Sequence, residues 1–234
     1  MVMRAIIFDM DGVLVDTMPL HFQAMRAAVA EFTGINLDER TFYLLEGMPI
    51  KEMARKILEL KGYEVKKEET NLDALAERIG ARKKQIFMEM KQIPKPFMGI
   101  RELILDGLKS GLKAVVTGSS KQELDTIINN NFGTNMFSVA VNGDEFEGKG
   151  KPDPAPYLAA LSRLKVPASN ALIVENAPLG VQAAKSAGAK CIVVLNSSPL
   201  TVDDFKGLID DENDIFRDIN EANNYLKDWC TTTK

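Results

Sequence analysis

The sequence contains few residues of the kinds that build disulfide frameworks or histidine metal centres. Of its 234 residues, two are cysteine and one is histidine. Cys191 lies in an apolar run and Cys230 lies near the end of the chain, so the pair does not form a disulfide framework and we expect a reducing, cytoplasmic setting. Neither cysteine is near the single histidine, His21, in the sequence. Thiol catalysis and a Cys–His metal site therefore have little support.

The charge and the hydrophobic pattern exclude further classes. The net charge of -4 gives no electrostatic case for binding nucleic acid or an anionic membrane surface. No uninterrupted apolar stretch approaches the roughly 20 residues needed to span a bilayer. The apolar segment from Met1 to Phe8 is too short for a signal peptide and leads into acidic residues, so we expect none. A composition with 45% hydrophobic and 26% charged residues predicts a globular protein of one or two domains.

The most informative stretch follows Ile6–Phe8, where an apolar run leads directly into Asp9, Asp11 and Gly12. A short apolar run bounded by polar residues and glycine predicts a buried strand. Open parallel sheets bind ligands outside the carboxyl ends of their strands, which is where these acids lie. The two carboxylates can reach one point only if the chain turns, which Gly12 permits. Such a pair suits a hard divalent cation, or a division of labour between a nucleophile and an acid/base group.

The rest of the chain alternates short apolar runs with helical patterns. This alternation predicts an α/β fold with a parallel sheet. Further helices are predicted over 99–110, after Ser120 through a capping box with Glu123, after Asp153-Pro154, over 178–188 and over 219–229. Further strands are predicted over 114–116, 139–141, 171–174 and 191–195.

Residues 17–92 break this alternation, because they contain helical patterns and no convincing strand. A helix that Thr17 can cap and that Gly34 ends is followed by helices predicted over 38–46, 50–61 and 72–91. We interpret residues 17–92 as an inserted, all-helical cap domain, called the cap segment below. Residues 1–16 and 93–234 then form the α/β core domain. The links 14–17 and 92–98 join the cap segment to the core domain and are the predicted hinges.

Three predicted strands end on a polar residue, at Asp9, Thr117 and Glu175, and in a parallel sheet these ends share one edge. Lys151 lies in a Gly/Pro-rich loop just before a predicted helix. Carboxylates, a hydroxyl and an ammonium group at one edge suit a metal ion and a phosphate together. Backbone N–H groups at the helix starts after Thr117 and Pro152 would also favour phosphate.

With these motifs in this order, the sequence resembles the haloacid dehalogenase-like superfamily, in its phosphatase and phosphomutase branch. The resemblance implies a Rossmann-like, three-layer core with a parallel sheet and a helical cap. It implies that Asp9 is the nucleophile that forms an aspartyl-phosphate and that Asp11 is the general acid/base. Thr117 would hydrogen-bond the phosphoryl group, next to Gly118 and Ser119 as further phosphate-binding residues. Lys151 would neutralise charge on the phosphoryl group and on Asp9.

The resemblance also implies a Mg²⁺ cofactor held by Asp9, the backbone carbonyl of Asp11 and the acidic motif Glu175-Asn176. The chain departs from the family at Asn176, where members usually carry aspartate. An amide oxygen can still ligate Mg²⁺, but without the charge. Either Glu175 becomes the direct ligand or the metal is held more weakly.

Three residues of the cap segment are candidates for contact with acid/base or substrate groups. His21 lies where β-phosphoglucomutase-like members place a histidine that interacts with the acid/base aspartate. Mutases also use a cap arginine to hold a second phosphate, and this chain has no arginine at that place. Lys51 is adjacent to it, and Lys83, in the basic run 82–84, could also meet a substrate phosphate. A weakened second anion site favours hydrolysis over mutase chemistry.

These observations favour a Mg²⁺-dependent phosphomonoester hydrolase that acts on a small phosphorylated metabolite, such as a sugar phosphate. The alternatives are a β-phosphoglucomutase-like isomerase and, because of Asn176, a catalytically impaired binding or regulatory protein. We expect no nucleic-acid or membrane partner, and a monomer or weak homo-oligomer.

Overall fold

The computed structural model describes residues 3–64, 71–108, 111–133, 135–146 and 148–231. At its centre lies a six-stranded, all-parallel sheet with the strand order β3-β2-β1-β4-β5-β6. Its strands are β1 (Ala5–Asp9), β2 (Leu112–Val116), β3 (Val139–Val141), β4 (Ala171–Glu175), β5 (Lys190–Val194) and β6 (Ile215–Phe216). The predicted α/β fold and its first five strands are confirmed. The two-residue β6 is too short to leave a pattern in the sequence.

Helices α6 to α9 cover the two faces of this sheet. The α-helices of the described residues are α1 (Met18–Thr33), α2 (Glu39–Leu44), α3 (Ile50–Leu60), α4 (Leu72–Glu89), α5 (Ile100–Glu102), α6 (Lys121–Asn131), α7 (Ala155–Leu164), α8 (Pro178–Ser186) and α9 (Asn223–Thr231). Successive residues of β1 point to opposite faces. Ile6 packs in a cluster with residues of α6 and α9, whereas Ile7 packs in a cluster with residues of α7 and α8. This arrangement is the predicted three-layer, Rossmann-like core.

Several local signals in the sequence act as expected. Gly34 ends α1 in the left-handed conformation, with φ of 74°. Ser120 and Glu123 form the predicted capping box at the start of α6. The helix predicted over 99–110 is instead the short α5 followed by a π-helical turn over Leu103–Gly107, and residues 109–110 lie outside the described residues. The last helix begins at Asn223 rather than Ile219.

The cap segment holds α1 to α4, which follow β1 in the chain, and its described residues contain no strand. Helix α4 packs against both α1 and α3. The chain enters and leaves this stretch through two connectors that lie side by side. Asp16 N donates to Lys95 O at 3.0 Å, and Phe97 N donates to Leu14 O at 3.1 Å. The division into a core domain and a cap domain, with hinges at these connectors, remains a prediction.

Among the described residues, no helix is long and apolar enough to cross a membrane.

Candidate active site

The parallel register brings the predicted strand ends together. Asp9, the last residue of β1, is paired with Val116 at the end of β2, so Thr117 follows directly beside it. Glu175 ends β4, the neighbour of β1 on its other side. Because all three strands run the same way, Asp9, Thr117 and Glu175 lie at one edge of the sheet. All three are almost fully buried there.

Lys151 joins two of these strand ends. Its Nζ contacts Asp9 Oδ1 and lies 2.5 Å from Glu175 Oε1. Burial acts to lower the pKa of Lys151, but the two carboxylates outweigh it and raise this pKa above its ordinary value. Lys151 is therefore a fixed cation beside Asp9. Burial raises the pKa of Asp9 well above its ordinary value, against the lowering effect of Lys151.

Asp11 lies after the β1 strand and is held by three hydroxyl groups. Thr17 Oγ1 donates to Asp11 Oδ1 at 2.6 Å, and Oδ2 accepts from Thr117 Oγ1 at 2.7 Å and from Ser119 Oγ at 3.2 Å. Gly12 makes the necessary turn with φ of +81°. Thr17 thus contacts Asp11 instead of capping α1, where its side chain makes no capping hydrogen bond. The sequence predicted only a capping role for this threonine.

His21 extends this network into the cap segment. Its Nε2 lies 3.4 Å from Asp11 Oδ1, its Nδ1 lies 2.8 Å from Lys83 Nζ, and its ring stacks on Phe87 at 4.2 Å. Burial would raise the pKa of Asp11, but hydrogen bonds from His21 and the threonines lower it well below its ordinary value. Burial also lowers the pKa of Lys83. The predicted proximity of His21 to Asp11 is present in the structure.

Glu175 has protein partners for both of its oxygens. Oε1 contacts Lys151 and the Tyr157 hydroxyl, and Oε2 accepts from the backbone N–H groups of Asn176 and Ala177 at 3.0 and 3.4 Å. A Cβ added at Gly180 would lie 2.0 Å from Glu175 Oε1, so the Glu175 carboxylate packs directly against the Gly180 backbone. The sequence did not single out Tyr157. Glu175 is thus placed to anchor Lys151.

The neighbouring Asn176 contacts a residue that the sequence analysis did not identify. Its Nδ2 donates to Glu46 Oε2 at 2.8 Å, and both side chains are buried. Glu46 was predicted to be in the helix over 38–46, but α2 ends at Leu44 and Glu46 lies in the turn that follows. In a cap segment rich in lysine and glutamate, one more glutamate is usually a solvated residue. Its position before the Gly47-Met48-Pro49 break was the only available signal.

The site contains two buried oxygens without a hydrogen-bond partner, Asp9 Oδ2 and Asn176 Oδ1. Buried polar atoms are normally satisfied, so such a pair calls for a missing partner. Carboxylate and amide oxygens are ligands that Mg²⁺ accepts. Within the described residues, no three His, Cys, Asp or Glu side chains converge as a metal site. A cation here would therefore depend on an amide and backbone oxygen as well as on Asp9.

A cavity of about 700 Å³ opens above the sheet edge, between the core and the cap segment. This volume is in the range of small-molecule sites. Lys51 is one of the residues that line this cavity, and its ammonium group lies 3.5 Å from Glu77 on α4. Glu175 and Asn176 are not among the lining residues. The predicted residues that line the cavity are Asp9, Asp11, His21, Lys51, Lys83, Thr117, Gly118, Ser119 and Lys151.

Known proteins resemble this chain over most of its length. The profile of haloacid dehalogenase-like hydrolases matches residues 6–194. A phosphorylated carbohydrates phosphatase of Thermotoga maritima is 36% identical over 81% of this chain and 84% of its own length. The beta-phosphoglucomutase of Bacillus subtilis is 30% identical over 85% of this chain and 86% of its own.

Among solved structures, beta-phosphoglucomutase of Clostridium difficile matches with a TM-score of 0.76. The match covers 98% of this chain and 97% of that one at 23% identity, which supports the shared fold. The chain belongs to the haloacid dehalogenase-like hydrolase family. The predicted resemblance to its phosphatase and phosphoglucomutase-like members is confirmed, as is the prediction of a phosphatase-type enzyme.

Proposed function

We propose that the chain is a Mg²⁺-dependent phosphomonoester hydrolase of a small phosphorylated metabolite, such as a sugar phosphate. The observation that carries the proposal is the contact between Lys151 and Asp9 at the carboxyl end of β1. A buried carboxylate with one oxygen on a fixed ammonium group is suited to attack an anionic phosphoryl group, since the lysine offsets the repulsion. The T. maritima relative, named as a phosphatase of phosphorylated carbohydrates, supports this substrate class.

In the first step of this proposal, an oxygen of Asp9 attacks phosphorus and the bond to the ester oxygen breaks. Asp11, held ionised by its hydrogen bonds, takes up the proton of a monoanionic phosphate ester and gives it to that leaving oxygen, and the product alcohol departs from an aspartyl-phosphate. In the second step, Asp11 takes a proton from water, which attacks phosphorus and frees inorganic phosphate and Asp9. Lys151 neutralises charge in both steps, and the cap segment excludes bulk water from the cavity.

The orphaned oxygens of Asp9 and Asn176 fit a hard cation. Asp9, Asn176 and the backbone carbonyl of Asp11 would hold Mg²⁺. When bound, Mg²⁺ would neutralise phosphoryl charge. Both oxygens of Glu175 already have protein partners, so Glu175 would position Lys151 rather than bind the cation directly.

A mutase is the second candidate, since a relative at 30% identity is a beta-phosphoglucomutase. A mutase must hold a second phosphate, and the cap lysine nearest the expected arginine place, Lys51, lies against Glu77. This pairing favours hydrolysis. The cytoplasmic location and the monomeric or weakly oligomeric state remain predictions.

One set of assays tests the proposal. The protein is incubated with Mg²⁺ and a panel of hexose and pentose phosphates, and free phosphate and isomerised sugar are both measured. We expect phosphate release that Asp9→Asn and Asp11→Asn each abolish in folded protein. Isomerisation that depends on a bisphosphate would support the mutase instead. Absence of turnover with every substrate would support a binding or regulatory role.

A further inference from the structure

Glu46 is a buried carboxylate that the proposed reaction does not use. It lies in the turn between α2 and α3, within the cap segment, yet its hydrogen-bond partner is Asn176, at the start of the loop that follows β4 in the core. Its relative exposure is 7% and that of Asn176 is 1%. A carboxylate is rarely buried this deeply without an electrostatic partner. Its hydrogen bond comes from a neutral amide, and the buried cation that acts on it, Lys151, is already engaged by Asp9 and Glu175.

The hydrogen bond fixes how Asn176 presents its oxygen. The amide nitrogen is committed to Glu46, so Oδ1 is the atom left for another partner, and it has none. The amide also packs directly against the backbone of Gly12, because a Cβ added to this glycine would lie 2.2 Å from Asn176 Nδ2. This contact limits how the amide can turn. An outer carboxylate that accepts from a metal ligand raises the basicity of that ligand and fixes its orientation.

The turn that carries Glu46 packs closely against the loop that carries Lys151. A Cβ on Gly47 would lie 2.7 Å from Lys151 Cδ, and a Cβ on Gly150 would lie 2.7 Å from Gly47 O and 2.8 Å from Pro49 Cδ. Only glycines allow this approach. Glu46 therefore reaches Asn176 because the turn is seated against the loop that carries Lys151.

We propose that Glu46 acts through the Asn176 amide as an outer carboxylate for the cation site. It thereby returns the negative charge that an asparagine withholds, and it couples cation binding to seating of the α2–α3 turn. This inference rests on the proposed function only in its use of Mg²⁺ at the Asp9 and Asn176 oxygens. Glu46 is a positioning residue, since it acts through Asn176. By linkage, a cation that binds more tightly with the turn seated must also stabilise the seated turn.

The test measures Mg²⁺ affinity calorimetrically in the absence of substrate. Glu46→Gln keeps the shape of the side chain and removes its charge, and we expect Mg²⁺ affinity to fall by about tenfold or more, the usual effect of losing an outer partner of a metal ligand. Glu39→Gln, on the exposed surface of α2, is the matched control and should bind Mg²⁺ like the wild type.

A second variant places the charge directly on the metal ligand. In Glu46→Gln/Asn176→Asp, affinity should return to within a few-fold of the wild type. In Asn176→Asp alone the gain should be much smaller, because the new carboxylate lies against Glu46. Amide hydrogen exchange supplies a readout of seating: Mg²⁺ should slow exchange in the α2–α3 turn of the wild type, and do so less in Glu46→Gln.

The inference is overturned by an unchanged or tighter Mg²⁺ affinity in folded Glu46→Gln while the wild type binds the cation. That result would leave the proposed hydrolase intact. A wild type that releases no phosphate from any sugar phosphate but shows the expected Mg²⁺ affinities would instead contradict only the proposed function. A wild type that binds no Mg²⁺ would overturn both.

Discussion

The Thr17 hydroxyl donates a 2.6 Å hydrogen bond to Asp11 Oδ1, from the residue at which the cap segment begins. This hydrogen bond stabilises the ionised form of Asp11 and so contributes to its lowered pKa. Thr17→Val keeps the shape of the side chain and removes the donor. We expect the pKa of Asp11 to rise by about 1–2 pH units, because a hydrogen bond to a charged group is worth about 1.5–3 kcal/mol.

The pKa of Asp11 can be followed by NMR titration of its side-chain carboxyl carbon in metal-free protein. Thr17→Ser retains the hydroxyl and is the control, which should titrate like the wild type. An equal pKa in Thr17→Val and wild type would show that this hydrogen bond does not tune Asp11.

Lys151 should also be important for stability, because it lies between two buried carboxylates. Lys151→Met leaves Asp9 and Glu175 without their cation. Removing one partner of a buried ion pair typically costs about 3–5 kcal/mol of unfolding free energy. Urea denaturation should show this loss, and Lys151→Met/Glu175→Gln should recover part of it without recovering activity. If the single variant were as stable as the wild type, the two carboxylates would not depend on Lys151.

Gly12 offers a test of the close approach between the β1 turn and Asn176. Gly12→Ala meets backbone strain at φ of +81° and a contact of 2.2 Å with Asn176 Nδ2. Gly34→Ala has similar strain, with φ of +74°, but its Cβ would meet nothing within 4 Å. The strain alone costs about 1–2 kcal/mol. We expect Gly34→Ala to lose this amount in urea denaturation, and Gly12→Ala to lose more and to bind Mg²⁺ more weakly. Equal losses with equal Mg²⁺ affinity would contradict the close approach.

Asp38 should make a pH-dependent contribution to stability. It caps α2 by accepting from Thr41 N at 2.8 Å, and Lys61 Nζ lies 2.6 Å from its other oxygen. The hydrogen bonds from Lys61 and Thr41 lower the pKa of Asp38 below its ordinary value. A lowered pKa stabilises the fold above the unfolded value of about 3.9 and loses that contribution as pH falls through the folded value.

Asp38→Ala should therefore cost about 1 kcal/mol at pH 7, the usual effect of losing an N-cap. The difference from wild type should shrink as the pH is lowered below about 4. Asp38→Asn keeps a capping oxygen and should cost less, since an exposed ion pair is worth about 0–1 kcal/mol. Urea denaturation across this pH range measures all three proteins, and a difference that did not change with pH would contradict the role of the charge.

The sheet was readable from the sequence because its strands are short apolar runs that end on distinctive polar residues. Asp9, Thr117 and Glu175 could be placed together without any knowledge of distances, since parallel strands align their carboxyl ends. Lys151 could be added from its loop and the family resemblance. Their closeness follows from local pattern and from one topological rule.

The contacts that cross between the cap segment and the core were not readable in this way. Glu46 looks like any glutamate of a helical surface, and only tertiary packing of the α2–α3 turn buries it against Asn176. Thr17 has the sequence signature of a cap, but Asp11 competes successfully for its hydroxyl. Tyr157 lies within an apolar helix face, where an aromatic residue usually indicates core packing. Each of these roles depends on a partner far away in the chain or on a turn whose path the pattern does not give.

The paired connectors at Leu14–Asp16 and Lys95–Phe97 place the two ends of the cap segment next to each other. A stretch that leaves and returns at one point can change in length or be exchanged for another without altering the order of the strands. A tight reverse turn between Val15 and Pro96 would be enough to close the gap. Under the proposed function, such an exchange would change the residues that face a substrate while it leaves Asp9 and Lys151 in place at the sheet edge.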